Sequence, residues 1–152
     1  MIVRPMLAHE MDNTIRLFQY YFDEAAEAIP SMATEYDENS VLETIREYSI
    51  HHTHCWFNAV EGQRPVGFIS GFISQAPWNK DILYANIAFI YLLESHRNME
   101  NFRQLMAEFT AWAQNIKAQK ITAGDIGVNP SKMRRLYEHF EFKEILLMVK
   151  DL

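Results

Sequence analysis

Apolar residues recur along the chain at two spacings, and each spacing predicts a different kind of element. A period of three to four residues predicts helices over residues 9–29, 37–50 and 101–117, the last with an unbroken apolar face. A fourth helix is predicted from Asn129 and Pro130, a pair typical of a helix start, to residue 140. Shorter apolar runs predict strands, which cover residues 1–5, 53–60, 66–74, 82–93, 120–128 and 142–150.

The order of these elements, β-α-α-β-β-β-α-β-α-β, predicts how the strands pair. A turn at residues 61–65, with Gly62, and a loop at residues 76–80 make the strands beside them antiparallel. The most apolar stretch, residues 82–93, is the central strand, and the helix that follows it requires a parallel partner. The prediction is one α/β (α+β) domain over residues 1–152. It has a mixed central sheet of about six to seven strands flanked by about four helices.

The composition narrows the classes of partner. The formal net charge is −6 and no run of Lys or Arg occurs, which argues against nucleic acid. An acidic surface favours cationic substrates such as amines. Many soluble proteins, however, are acidic for solubility alone. Cys55 is the only cysteine, so neither an intrachain disulfide nor a paired-cysteine zinc site is expected. No signal core or membrane-length apolar run occurs, so we expect a cytoplasmic protein without a membrane partner.

Two stretches in the second half of the chain carry a family resemblance. Residues 90–106 read IYLLESHRNMENFRQLM and residues 136–142 read LYEHFEF. A strand, a loop of the form R/Q-x-x-G-x-G/A and a helix, followed later by Leu-Tyr-x-x-x-Gly-Phe, are the pattern of the Gcn5-related N-acetyltransferase (GNAT) family, which this half resembles. The first half, with IVRP, two helices and a VGF strand, is similar to the family too. The resemblance therefore covers nearly the whole length.

The match to the two signatures is uneven. Arg97 stands at the R/Q position, but Glu100 and Phe102 occupy the two glycine positions of the loop. Glu141 replaces the glycine of the closing signature. A divergent subset that is common in phage genomes keeps the Arg, lacks the later glycines and continues Arg-x-Leu, as residues 103–105 do. The chain is most similar to that subset, which would place it in the cytoplasm of a host cell.

The resemblance implies transfer of an acetyl group from acetyl-coenzyme A to the primary amine of a small molecule or protein, by direct attack in a ternary complex. Strand backbone would hold the pantetheine arm and could steady the oxyanion, and the start of the helix would hold the pyrophosphate. No metal is implied. The implied cofactor-binding residues are Tyr91, Leu92, Leu93, His96, Arg97, Asn98, Met99, Glu100, Asn101, Phe102 and Asn129.

Tyr137, in the closing signature, is the implied general acid. A phenol and a thiol have similar pKa values, so a tyrosine hydroxyl suits protonation of the departing thiolate. Many members of the family carry a Glu on the central strand as base. Tyr84, Asn86 and Ala88 occupy that region here, so no carboxylate base is evident.

Glu100 has two interpretations. In the phosphate loop it brings a like charge close to the phosphates and weakens binding, with Arg97, His96 and Arg103 available to offset it. Alternatively, it is a first-turn acid that stabilises its own helix.

His51, His52 and His54 form the most obvious cluster of ligand-type residues. Neighbours on a strand point to opposite faces and no carboxylate lies at ligand spacing, so the cluster does not indicate a metal site. His52 and His54 share a face and are candidates for a base. The candidate acceptor-binding residues are Trp78, Tyr84, Asn86 and His54.

The alternative function is a GNAT-fold interaction or structural protein that binds coenzyme A weakly or not at all and has no activity. The missing glycines and missing base favour it, whereas Tyr137 and Arg97 favour the enzyme. An RNA-directed toxin acetyltransferase would need a basic surface, which this sequence lacks. The apolar last strand and exposed aromatic residues leave a homodimer open.

Overall fold

A computed structural model describes residues 1–124, 130–145 and 150–151 of the chain. The described part forms a mixed five-stranded sheet in the order β1-β2-β3-β4-β5. Successive strands are antiparallel except for β4 and β5, which are parallel as predicted. The strands are β1 (Ile2–Pro5), β2 (His54–Glu61), β3 (Arg64–Ala76), β4 (Asn79–Leu92) and β5 (Lys120–Ala123).

Four α-helices accompany the sheet in the described residues, which agrees with the predicted number. Asp37 caps α2 with a hydrogen bond to the Ser40 N–H, and Asn98 caps α3 through the Asn101 N–H. Short 3-10 turns at Ala8–Glu10, Pro30–Thr34 and Glu94–His96 complete the chain path. The helices are α1 (Met11–Ala28), α2 (Glu38–Ile50), α3 (Met99–Asn115) and α4 (Pro130–His139).

Three details of the strand prediction are corrected. The expected loop at residues 76–80 is a tight turn, because β3 extends to Ala76 and β4 begins at Asn79. Strand β5 ends at Ala123, and residues 125–128 of the predicted strand lie outside the described residues. Residues 142–145 are not part of the sheet, and residues 146–149 of the predicted last strand also lie outside the described residues. The described sheet therefore has five strands, where six to seven were predicted.

Helices cover both faces of the sheet, and alternation along the strands supplies two separate cores. Trp56 and Phe57 are neighbours on β2, yet Trp56 packs with α1 and α2 whereas Phe57 packs with α3. Phe109 of α3 and Phe68 of β3 are both fully buried, one in each core. The two layers hold α1 and α3 on opposite faces of the sheet, and both helices pack on β3.

A β-bulge interrupts β4 near its centre. Ser70 pairs with Phe89 and Gly71 with Ile87, so Ala88 is an additional residue on β4. A Cβ at Gly71 would meet the Asn86 carbonyl oxygen and lie 2.6 Å from the Phe109 ring, so only glycine fits there. The described pairing of β4 with β5 ends at Ile87 and Ala123, and β4 continues beyond it to Leu92.

A buried ion pair joins α1 to the edge of the sheet. The Glu10 side chain is 2% exposed and accepts hydrogen bonds from Arg4 Nη2 at 2.6 Å and Arg4 Nη1 at 3.1 Å. The Leu7 N–H and Asn58 Nδ2 donate to the same carboxylate at 3.0 and 3.2 Å. Burial alone would raise the pKa of Glu10, but these hydrogen bonds outweigh it and hold the pKa below its ordinary value.

Candidate functional site

A cleft of about 380 Å³ lies where β4 ends, with walls from both helical layers. Helix α1 forms one side, α4 forms the other, and the first turn of α3 closes one end. The lining is mainly apolar, with Glu24, Arg97 and Lys132 as its charged groups. Its described lining residues are Tyr21, Glu24, Ile90, Tyr91, Leu92, Arg97, Asn98, Met99, Phe102, Lys132, Met133 and Leu136.

The end of β4 presents backbone groups to this cleft. The Leu93 N–H donates to the Val66 carbonyl of β3 at 2.9 Å. Because backbone groups of successive strand residues point to opposite edges, those of Leu92 face away from β3. The Leu92 carbonyl indeed accepts from Arg97 Nε at 2.8 Å. Of the predicted backbone contacts, Leu92 therefore lies at the open edge, whereas the Leu93 N–H is used within the sheet and Tyr91 is paired with Phe68.

Arg97 reaches across the cleft to α1. Its Nη2 donates to both carboxylate oxygens of Glu24, at 2.6 and 2.8 Å. The Tyr91 hydroxyl donates to Glu24 Oε1 at 2.8 Å, and the guanidinium lies 5.3 Å from the centre of the Tyr91 ring. Burial, followed by the hydrogen bond to Glu24, raises the pKa of the Tyr91 hydroxyl. The predicted phosphate-binding arginine thus has a carboxylate partner in the cleft.

The first turn of α3 is built to leave donors exposed. The Asn98 side chain satisfies the Asn101 N–H, while Asn101 Nδ2 donates to the His96 carbonyl at 2.9 Å. The N–H groups of Met99 and Glu100 remain without an intrahelical acceptor, as at any helix start. Asn98 and Met99 line the cleft, so these donors lie at its end, where a helix favours anions.

Glu100 and His96 are directed elsewhere. The Glu100 carboxylate accepts from Arg103 Nη1 at 2.6 Å on the exposed side of α3 and does not line the cleft. This geometry favours the interpretation of Glu100 as a first-turn acid. His96 Nε2 lies 2.8 Å from Glu61 Oε2 of the β2–β3 hairpin, outside the lining.

Phe102 and Tyr137 join α3 to α4. Their ring centroids lie 6.0 Å apart in a T-shaped arrangement, and Tyr137 also packs on Phe142. Tyr137 is 9% exposed and lies behind the wall, whereas Phe102 and Leu136 line the cleft itself. Glu141 has a φ of 65°, the left-handed conformation that glycine adopts most easily. The backbone conformation expected of the closing glycine is therefore present without the glycine.

None of the predicted acceptor-binding residues lines the cleft. Asn86 donates to Ser74 Oγ at 2.9 Å and accepts from Thr122 Oγ1 at 2.7 Å, so it joins three strands. Trp78 is 73% exposed at the β3–β4 turn, 6.2 Å from the Tyr84 ring. The His54 ring packs edge-on against the Tyr48 ring, with 4.7 Å between the ring centroids, and burial lowers the pKa of His54.

Several cleft residues were not identified from the sequence. Tyr21 and Glu24 come from α1, and Lys132, Met133 and Leu136 come from α4. Tyr21 and Glu24 are one helical turn apart, beside the buried Ala25, and that spacing was the available signal. It could not show which strand the α1 side chains would meet.

Other predictions fall outside this site. Asn129 lies outside the described residues. Within the described ranges, no group of three or more His, Cys, Asp or Glu residues could hold a metal ion. Among the helices that the structure describes, none has the length and apolarity needed to cross a membrane. Burial raises the pKa of the Cys55 thiol to about 12.

Comparison with solved structures shows the fold. The aminoglycoside acetyltransferase AAC(6')-Iy, bound to the bisubstrate analogue CoA-S-monomethyl-acetylneamine, has a TM-score of 0.76 at 14% identity over 99% of this chain and 97% of the other. AAC(6')-IG from Acinetobacter haemolyticus has a TM-score of 0.73 at 12% identity over 100% and 99%. A transcriptional regulator from Bacillus halodurans C-125 has a TM-score of 0.77 at 14% identity over 99% and 97%. These similarities span the full length of both chains.

Comparison of sequences shows the family. No curated protein matches the chain. The family model described as the acetyltransferase (GNAT) family matches residues 15–142, which is most of the chain and includes most of α1 and all of β4, α3 and α4. The chain therefore belongs to the acetyltransferase (GNAT) family, whose members use acetyl-coenzyme A as co-substrate.

Proposed function

We propose that this protein is a single-domain N-acetyltransferase that moves the acetyl group of acetyl-coenzyme A to a primary amine of a cationic acceptor, by direct attack in a ternary complex. The observation that carries the proposal is the cleft at the end of β4, which has two chemically different sides. One side offers backbone donors and cations, and the other belongs to an acidic helix. Within the family, Arg97, Glu100 and Phe102 in the loop support assignment to the divergent phage-type subset.

The β4–α3 side fits the thioester and the phosphates. The open edge of β4 offers the Leu92 N–H to an amide-bearing arm, as another strand would. The α3 start offers the N–H groups of Met99 and Glu100, and Lys132 adds a cation to the lining. The apolar side chains of Met133 and Leu136 suit the carbon chain of the cofactor between its thioester and its phosphates.

The α1 side fits a cationic amine. Residues 11–50, which form α1, α2 and their connection, contain nine acidic and two basic residues, a net charge of −7. The other residues contain eleven acidic and twelve basic residues, so the whole negative excess of the chain lies in this segment. Such a field attracts cations and raises their local concentration. Two of the structural neighbours are aminoglycoside acetyltransferases, which supports an acceptor with more than one ammonium group.

The reaction needs one nucleophile and one acid. The lone pair of the deprotonated amine attacks the thioester carbonyl carbon, and a β4 backbone N–H steadies the oxyanion. The C–S bond then breaks and Tyr137 protonates the thiolate, while the attacking nitrogen loses its extra proton to solvent, which also returns a proton to Tyr137. Tyr137 packs on Phe102, a residue that lines the cleft, which supports a place for its ring beside the cleft. Tyr91 is a poorer acid, because its hydroxyl already donates to Glu24 and its pKa is raised by burial.

Binding of acetyl-coenzyme A, followed by titration calorimetry and thermal unfolding, is the first test. Ligand at 100 times its dissociation constant should stabilise the fold by about 2.7 kcal/mol. The protein should release more coenzyme A thiol from acetyl-coenzyme A with spermidine, a polyamine, as acceptor than with propylamine, a monoamine. No binding of acetyl-coenzyme A at millimolar ligand would favour the alternative, an interaction or structural protein.

Tyr137→Phe tests the acid. Acetyl-coenzyme A affinity should be unchanged while turnover falls about 100-fold, because only the hydroxyl is lost. Tyr84→Phe is the matched control, since Tyr84 lies outside the cleft. Equal turnover in the Tyr137→Phe variant and the wild type would remove Tyr137 from the mechanism.

A homodimer through the last predicted strand is a further proposal. Ile145, at the start of that segment, is 82% exposed, and an apolar side chain in that position suits a subunit contact. Sedimentation equilibrium of the wild type and of Ile145→Lys tests it. A monomeric wild type would overturn it.

A further inference from the structure

The Glu24 carboxylate, which lies in the cleft, accepts fewer hydrogen bonds from the described residues than its lone pairs allow. The Glu24 side chain is 28% exposed and receives three hydrogen bonds from residues that the structure describes, two from Arg97 and one from Tyr91. A carboxylate has about four lone-pair sites. Glu24 is also the one carboxylate among the described residues that line the cleft, on the side that belongs to the acidic helices.

Arg97 stands between two anion-binding positions. Its backbone lies immediately before Asn98, the cap of α3, and its side chain reaches Glu24 on α1. Nε donates to the Leu92 carbonyl and Nη2 donates to Glu24. A phosphate at the start of α3 would compete with Glu24 for the same guanidinium, because both are anions that bind arginine through two oxygens.

Withdrawal of Arg97 would leave Glu24 with an unbalanced charge. The Tyr91 hydroxyl would still donate to Oε1 and hold the carboxylate in place. A partly buried carboxylate without a cation is unfavourable, so a new cation at this position would bind more tightly than before. An ammonium group supplies that charge and fits the sites that the guanidinium leaves.

We propose that Glu24 binds an ammonium group of the acceptor, distinct from the deprotonated amine that reacts, and that Arg97 stays paired with Glu24 until the phosphates of acetyl-coenzyme A compete for it. The inference rests on the proposed function, and it adds a specificity-determining residue and an order of binding. Acetyl-coenzyme A binds first and prepares the acceptor site. By linkage, each ligand then tightens the other by the same factor.

Coenzyme A, which cannot react, allows the coupling to be measured by titration calorimetry with spermidine as the probe amine. In the wild type, saturating coenzyme A should tighten spermidine binding about tenfold, which lies within the usual range of coupling between two sites. In Glu24→Gln, spermidine should bind equally with and without coenzyme A. The same variant should bind coenzyme A alone about fivefold more tightly, because Arg97 no longer has a competing carboxylate.

Glu27→Gln is the matched control. Glu27 lies on the same helix, is exposed and does not line the cleft, so its substitution removes the same charge from the same segment. It should keep the tenfold coupling. Tighter coenzyme A binding in Glu24→Gln also shows that this variant is folded, since loss of structure would weaken both ligands.

The outcomes separate the inference from the function on which it rests. If the wild type binds no coenzyme A, the proposed function fails and the inference fails with it. If the wild type binds both ligands but Glu24→Gln keeps the coupling, or Glu27→Gln loses it equally, the inference alone is overturned. An acetyltransferase that acts on amines would then remain, with its acceptor held elsewhere.

Discussion

Two arginine–glutamate pairs of the same length lie in two regions of this protein and have different consequences. Arg4 and Glu10 join β1 to the start of α1, and Arg97 and Glu24 face each other across the cleft, each with a closest contact of 2.6 Å. The Glu10 side chain is 2% exposed, whereas that of Glu24 is 28% exposed. Glu10 also accepts from the Leu7 N–H and from Asn58, so neighbours on three sides hold it.

The difference shows that surroundings, rather than contact distance, decide what an ion pair does. The buried Glu10 carboxylate cannot exchange its partner for water, so the loss of Arg4 leaves an unbalanced charge in the core. A pair at the edge of a cleft exchanges with water or with a ligand at little cost. The Arg4–Glu10 pair therefore holds α1 on the sheet, whereas the Arg97–Glu24 pair occupies a position that other ions can enter.

Arg4→Ala should have the largest effect on stability. It leaves Glu10 charged and buried, so we expect a loss of about 3–5 kcal/mol in the free energy of unfolding at neutral pH. Urea denaturation measures it. The double variant Arg4→Ala/Glu10→Gln should recover part of the loss, and a loss below about 1 kcal/mol in Arg4→Ala would contradict the structural role.

Glu10 should also make stability depend on acid. Its folded pKa is below the ordinary 4.5, so the stabilisation is fully present above that value and is lost as the pH falls through the folded pKa. Glu10→Gln should be less stable than the wild type at neutral pH and should lose less on acidification from about pH 6 to about pH 3.

The comparison with Glu10→Gln is necessary because other groups also titrate. Hydrogen bonds with Ser40 and His96 lower the pKa values of Asp37 and Glu61, and both variants share these effects. Parallel urea midpoints for the two proteins across the range would contradict the assignment to Glu10.

Arg97→Ala should separate binding from stability. The free energy of unfolding should change by less than about 1 kcal/mol, because both members of the pair reach solvent. Acetyl-coenzyme A should bind about tenfold more weakly, because a charge-assisted contact with a phosphate is lost. Calorimetry and urea denaturation of the same preparation test both statements. A loss of stability equal to that of Arg4→Ala would remove the contrast between the two regions.

Glu100→Gln should have the smallest effect and extends the comparison to a pair that is more than half exposed. The Glu100 side chain is 64% exposed and that of Arg103 is 51% exposed. Arg103 Nη1 also lies 2.6 Å from Glu100 Oε2. We expect changes within about 0.5 kcal/mol in stability and within about twofold in acetyl-coenzyme A affinity. A salt-dependent increase in affinity of about fivefold would instead place Glu100 beside the phosphates.

Local patterns predicted the helices closely. The predicted 101–117 helix became Met99–Asn115, and the predicted 37–50 helix became Glu38–Ile50 with Asp37 as its cap. Helices are set by spacing within a few turns, so a window of sequence contains most of the information. Strand ends were predicted less well. The turn after Ala76 is shorter than expected, because pairing between β3 and β4 extends both strands beyond their apolar core.

The cleft was predicted on one side only. Leu92, Arg97, Asn98, Met99 and Phe102 follow one another in sequence and were expected together. The pair between Arg97 and Glu24 joins positions 73 residues apart, and no motif connects them. The sequence predicted acceptor-binding residues on β4 and at the histidine cluster. In the structure, the side chains that line the cleft beside the end of β4 come instead from α1 and α4.

The sequence by itself determined the elements of the fold, the start of α3 and the concentration of negative charge in residues 11–50. These properties depend on neighbouring residues or on composition, and they exist before the chain folds. Only the tertiary structure decided which carboxylate meets Arg97 and which is buried with Arg4. Those contacts depend on how the two helical layers pack on the sheet, because packing places α1 against β4 and thereby brings Glu24 to the end of the strand.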